Sequence, residues 1–122
     1  LALKTWAVVG LGNNPERAAF GVAKLLQDNG HRIIPVYPRA EVVHGEIGYK
    51  TLSDIPESVD VVDCFVNSTL VGKVVDEAIA IGAKAVWLQL DVIDTDAVAR
   101  AQAAGLLTVM DRCPAIEYHA RG

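Results

Sequence analysis

The sequence predicts an α/β fold: a Rossmann-like, doubly wound sheet of five parallel strands with helices on both faces. Strand-like apolar runs alternate with helix-like segments along the chain. The first of these runs, Trp6 to Gly10, is continuously apolar, as a buried parallel strand is. The connections contain helices, which parallel strands need as crossovers.

Trp6 to Gly10 (WAVVG) opens the sheet as a compact apolar run ending on glycine. Arg17 to Asn29 places Phe20, Val22, Ala23, Leu25 and Leu26 at helical spacing, and Gly30 can close that helix. Arg32 to Val36 (RIIPV) is the second strand, expected to end early or bulge at Pro35, which lacks a donor. Glu41 to Tyr49 reads as a loop, and Leu52 to Pro56 as a turn of helix capped by Ser53. Val59 to Val66 is the third strand, followed by a helix over Ser68 to Ile81 that Gly82 closes. Ala85 to Leu90 is the fourth strand, Thr95 to Ala104 a helix before Gly105, and Leu107 to Met110 the fifth strand. Pro114 to His119 reads as a short final helix.

One domain over residues 1–122 is expected, with 52% hydrophobic residues to build a core. A net charge of −4 and a pI near 5.2 argue against duplex nucleic acid as a partner. Runs such as Val86 to Leu90 are too short to span a bilayer, and no export signal opens the chain. Two distant cysteines, Cys64 and Cys113, fit a reduced, cytoplasmic protein. Neither a nucleic acid nor a membrane is expected as a partner. No protein partner is indicated.

The stretch most suited to a ligand is VVGLGNNPER, residues 8–17. Gly10 and Gly12 allow a tight turn and close approach of a ligand to the backbone. Asn13 or Asn14 can cap the next helix, with Pro15 in its first turn. The free N–H groups of that helix end then form an anion site, to which Arg17 adds a positive charge. Pro15 stands where a dinucleotide fingerprint has its third glycine. After the second strand, Arg39 stands where an NAD site places an acid, with Glu41 beyond a proline. A cation there suits a ribose phosphate, either the 2′-phosphate of NADP or the 3′-phosphate of coenzyme A.

VVGLGNNPER, IIPVYPRAE, HGEIGY, LSDIPESVDVVDCFV, EAIAIGAKAVWLQL and AAGLLTVMDRCPAIEY occur in that order. Together they resemble the small stand-alone CoA-binding proteins, which are similar to the N-terminal CoA-binding domain of the succinyl-CoA synthetase α subunit. The resemblance runs from Thr5 to Tyr118. It implies coenzyme A or an acyl-CoA as ligand. Gly10, Leu11, Gly12, Asn13 and Asn14 would then line the pyrophosphate with Arg17 beside them, and Pro38 and Arg39 the ribose and its phosphate. Phe65, Val66 and Asn67 would border the adenine, and Gln89 would face the cleft. The chain departs from the family where arginines often follow the phenylalanine, since it has Val66 and Asn67. Asp91 replaces a common glycine, and would either cap the next helix or bring a carboxylate near the ligand.

Nothing in the sequence points to catalysis. G-x-S-x-G and the phosphate-binding P-loop are both absent. His31, His44 and His119 lack the spacing of a zinc site and read as surface or loop residues. Asp60 and Asp63 fall on opposite strand faces, a poor acid–base pair. Trp6, Trp87 and Cys64 read as packing residues; Cys113 reads as a packed thiol with a reactive alternative. The expectation is a CoA-binding module without catalysis of its own. Its alternatives are an NADP-binding redox protein or sensor and a ligand-free scaffold of the same fold.

Overall fold

The computed structural model describes residues 5–114. Five strands run β1 (Thr5–Val9), β2 (Arg32–Val36), β3 (Val61–Cys64), β4 (Ala85–Leu88) and β5 (Leu107–Val109). The helices between them are α1 (Ala18–Asp28), α2 (Ser68–Ala80) and α3 (Thr95–Ala103), with a 3-10 turn at Leu52–Asp54. The sheet is wholly parallel, in the order β2-β1-β3-β4-β5. The chain leaves β1 in one direction and resumes beyond it in the other, so β1 and β3 flank the point where strand order reverses. The doubly wound fold is as the sequence predicts. The short helix expected over 114–119 lies outside the described residues beyond Pro114.

Side-chain alternation divides the core. Ala7, Val9, Ile34, Val62, Cys64, Val86 and Leu88 face α2 and α3, while Trp6, Val8, Ile33, Val61, Ala85 and Trp87 face α1. Trp6 is buried against Trp87 and His31, with ring centroids 5.6 and 5.7 Å away. His31 is thus a buried packing residue, not a surface one. The His44 ring lies on Phe20, and its Nε2 is 2.8 Å from the Phe20 carbonyl oxygen.

Several local expectations give way to tertiary context. Pro35 does not end β2, which pairs with β1 through Val36. Its carbonyl points away from β1 and accepts from the Tyr49 N–H at 2.9 Å, so the absent donor faces the outer edge and removes no ladder bond. Ser53 caps nothing: Thr51 precedes the 3-10 turn, without a side-chain cap bond. Asn13 and Asn14 do not cap α1, because Arg17 is its N-terminal flanking residue. Instead Asn14 Oδ1 accepts from the Glu16 N–H and the Asn14 carbonyl from the Arg17 N–H, closing a turn with Pro15 in its second position. Asp91 does not cap α3; Asp94 does, accepting from the Ala97 N–H at 3.0 Å.

Candidate functional site

The carboxyl ends of β1, β2 and β3 surround a cleft of about 520 Å³. Its floor is apolar: Val9 and Val36 from strand ends, Phe65 and Val66 from the β3–α2 loop, and Leu70 and Val74 from α2. Gly10 stands at its edge with φ 99°, and a Cβ there would lie 2.4 Å from the Phe65 carbonyl oxygen. Only glycine permits this approach of the first loop to the third. Arg17, Lys50, Lys73 and Glu77 supply the charges around the floor.

A smaller, polar hollow of about 220 Å³ adjoins the cleft, sharing Gly10, Arg17 and Tyr37 with it. Gly12, Asn13, Asn14, Arg39 and Glu41 complete its lining. The Glu41 carboxylate accepts from the Asn13 N–H at 2.9 Å, and its Oε1 would lie 2.9 Å from a Cβ on Gly12. One N–H of the glycine turn therefore donates to a carboxylate of the chain itself. Glu41 reaches it because Pro38 and Arg39 form a tight turn, with the Ala40 N–H bonded to the Tyr37 carbonyl and Ala40 at φ 49°.

The predicted site residues divide among three places. Gly10 and Arg17 line both hollows; Pro38, Phe65 and Val66 line the large cleft; Gly12, Asn13, Asn14 and Arg39 line the polar one. Leu11 is wholly buried, so its side chain belongs to the α1-side core. Asn67 and Gln89 line a third hollow of about 340 Å³, with Asp91 and the far side of Phe65 and Val66. Gln89 follows the end of β4 and is buried, its Oε1 without a hydrogen-bond partner. Asp91 sits there at φ 67°, a left-handed conformation that favours glycine. Its N–H donates to Asp111 Oδ1 at 2.7 Å.

Sequence reading missed Lys50, Lys73 and the contact made by Glu41. Lys73 had a usable signal: Leu70, Lys73, Val74 and Glu77 share one stripe of α2, and all four line the cleft. Lys50 had none, since only the pairing of Tyr49 with the edge of β2 brings its segment to the site.

Among the described lysines and arginines, Lys24, Arg32, Lys84 and Arg100 form ion pairs with carboxylates. Arg112 donates to the Asp111 carbonyl. The remaining four, Arg17, Arg39, Lys50 and Lys73, have no side-chain hydrogen bond or ion pair among the described residues, and all four line the cleft or its polar annex. The described residues contain no group of three or more potential metal ligands, and none of their helices is long and apolar enough to cross a membrane. Cys64 is buried with its thiol pKa raised by desolvation, and Cys113 is partly buried against the α1-side core.

Comparison with known proteins agrees with this fold. A family model described as a CoA binding domain matches residues 4–119. The uncharacterised protein YneT of Bacillus subtilis is 32% identical over 110 residues, spanning 90% of this chain and 82% of that one. The α subunit of an ADP-forming acetate–CoA ligase II from Pyrococcus furiosus is 37% identical over 71 residues, 53% of this chain and 16% of the subunit. A solved structure of a hypothetical protein from Pyrococcus horikoshii superposes with a TM-score of 0.93 at 39% identity, covering 98% of this chain and 84% of the other.

Proposed function

This chain belongs to the family of CoA-binding domains, and we propose that it binds coenzyme A or an acyl-CoA at the carboxyl ends of β1, β2 and β3, without catalysis of its own. The observation that carries the reading is the placement of unpaired cations. The protein is acidic overall, with a net charge of −4, yet the four cations that have no partner among the described residues all line the cleft or the polar hollow beside it. Cations held without carboxylate partners beside a turn of backbone N–H groups suit a ligand that brings several phosphates. The apolar floor between Val36, Phe65 and Val74 suits a nucleoside base.

In this reading the pyrophosphate takes the N–H groups of the glycine turn with Arg17 beside them, and displaces the Glu41 carboxylate from Asn13. The adenosine lies over the apolar floor between Pro38 and Phe65. The chain contributes binding and orientation only.

Calorimetric titration with CoA, acetyl-CoA and NADPH tests the assignment. CoA and acetyl-CoA should bind and raise the melting temperature by mass action. Arg17→Ala should weaken both about tenfold, the cost of one charge-assisted hydrogen bond. Binding of NADPH in preference to CoA would replace this reading with a redox one. Silence toward all three would leave a scaffold that keeps the fold alone.

A further inference from the structure

Exposed hydrophobic side chains gather at one point of the carboxyl edge. Of the six large ones exposed among the described residues, Leu70, Leu90 and Ile93 stand at the start of α2 or in the β4–α3 loop beside it. The backbone fixes them there. The Gln89 carbonyl accepts from the Val92 N–H at 2.9 Å, closing a turn with Leu90 inside it. Ser68, the first residue of α2, accepts the Ile93 N–H at its Oγ at 2.9 Å, and that hydroxyl donates to the Asp91 carbonyl at 3.3 Å. Leu90 is 47% exposed and Ile93 50% although the loop is tied down at both points. A cluster of this kind beside a hollow suits an apolar ligand.

Leu90 lines the third hollow, with Phe65, Val66 and Val92. Phe65 and Val66 are shared with the cleft, so the two hollows lie on either side of the β3–α2 loop. With the nucleotide in the cleft, the arm of a CoA leaves it over one wall. The outer face of α2 offers Lys73, Asp76, Glu77 and Ala80, with no large apolar side chain. The glycine turn offers polar surface and Glu41. Among the hollows that share residues with the cleft, only the third continues its apolar wall. It also holds the buried Gln89 amide, whose Oε1 has no hydrogen-bond partner among the described residues. A buried acceptor without a donor is costly, and the amide N–H groups of the arm are donors that pass close to it on this route.

We infer that the third hollow receives the acyl group of an acyl-CoA, and that this group is a short, uncharged hydrocarbon chain rather than one ending in a carboxylate. The inference rests on the CoA reading above and deepens it by naming the acyl class. Size sets the first limit, since about 340 Å³ lies at the small end of ligand pockets. Charge sets the second. No lysine or arginine lines the hollow among the described residues, while Asp91 does, and Asp111 Oδ1 accepts from the Asp91 N–H at 2.7 Å. Arg112, next in the chain, donates from its guanidinium to the Asp111 carbonyl. A terminal carboxylate would therefore meet an acidic rim without a cation in the lining, whereas a hydrocarbon chain covers Leu90.

Calorimetric titration with CoA, butyryl-CoA and succinyl-CoA tests this, because the two acyl groups match in length and differ in the terminal carboxylate. Wild type should bind butyryl-CoA about tenfold more tightly than CoA, through burial of its apolar carbons. Succinyl-CoA should bind about tenfold more weakly than butyryl-CoA. Leu90→Thr should bring the butyryl preference down to about threefold. Asp91→Asn, which keeps the left-handed backbone accessible, should narrow the gap between the two acyl-CoAs to about threefold. Leu107→Thr, which removes an exposed leucine from the edge strand β5, should change neither ratio. A wild type that binds CoA and butyryl-CoA alike, or succinyl-CoA as tightly as butyryl-CoA, would overturn the inference and leave CoA binding intact. So would a Leu90→Thr variant that keeps the full butyryl preference. A wild type that binds none of the three would overturn the CoA reading and this inference with it.

Discussion

The two ends of the sheet are built on opposite principles. At the amino ends of the strands, polar groups satisfy one another. Asp60 accepts from the Thr5 N–H at 2.9 Å and pairs with Lys84 at 3.3 Å, and its carbonyl accepts from the N–H groups of Lys84 and Ala85. The left-handed positions at this end, after each helix, are the glycines Gly30, Gly82 and Gly105. At the carboxyl ends, four cations have no partner among the described residues, and Ala40, Asp91 and Asp111 hold left-handed conformations that cost a side-chain-bearing residue roughly 1 kcal/mol or more each. One end closes the fold. The other holds unpaired charge and backbone strain, in keeping with the ligand site proposed there.

The largest expected effect separates two glycines. Gly10→Ala forces a Cβ to within 2.4 Å of the Phe65 carbonyl at a φ of 99°, and should cost roughly 3 kcal/mol and abolish CoA binding. Gly82→Ala meets nothing within 4 Å and should cost about 1 kcal/mol with affinity unchanged. Urea denaturation and titration of both variants give the comparison; equal costs would break it.

Asp63 lies midway between the two ends. It is wholly buried, neither carboxylate oxygen has a hydrogen-bond partner among the described residues, and desolvation raises its pKa well above the ordinary carboxylate range. Because the folded state holds the proton more tightly than the unfolded one, this group's contribution to stability is fully present below the unfolded carboxylate pKa. It is lost as pH rises toward the raised folded value. Asp63→Asn should remove that slope and gain about 1–3 kcal/mol over wild type at pH 8, with a smaller difference at pH 5. Denaturant melts at the two values measure it, and a difference independent of pH would count against a buried, protonated acid.

Asp60→Ala should cost about 1–2 kcal/mol, the worth of its contacts with the Thr5 N–H and Lys84, while leaving CoA affinity unchanged. A loss of affinity would show that the two ends are coupled. The smallest effect is expected at Glu41. Glu41→Gln removes a negative charge from the polar hollow and should tighten CoA binding roughly threefold, the scale of an exposed charge interaction. Weaker binding would instead make Glu41 a ligand contact.

Much of this organisation is legible along the chain. The continuous apolar run Trp6–Gly10 reads as a strand covered on both faces, and the helical spacing of Val22, Ala23 and Leu26 places α1 after it. Gly10, Arg17 and Arg39 could be chosen from sequence because their chemistry follows from chain-local features: a strand end, a turn and a helix start. These determine the fold class and one wall of the cleft, since backbone propensity and burial pattern act over neighbouring residues.

What only the tertiary structure decided depends on contacts between distant segments. Pro35 stays within β2 because β2 lies at the sheet edge with that residue's backbone facing outward, and Asp94 rather than Asp91 caps α3 because the helix begins at Thr95. Glu41 meets Asn13 across 28 residues, and Lys50 and Lys73 face each other's cleft from separate elements. Which cations find carboxylates and which are left facing an open cleft is set by distances in space, falling steeply over a few ångströms, and no spacing along the chain encodes them.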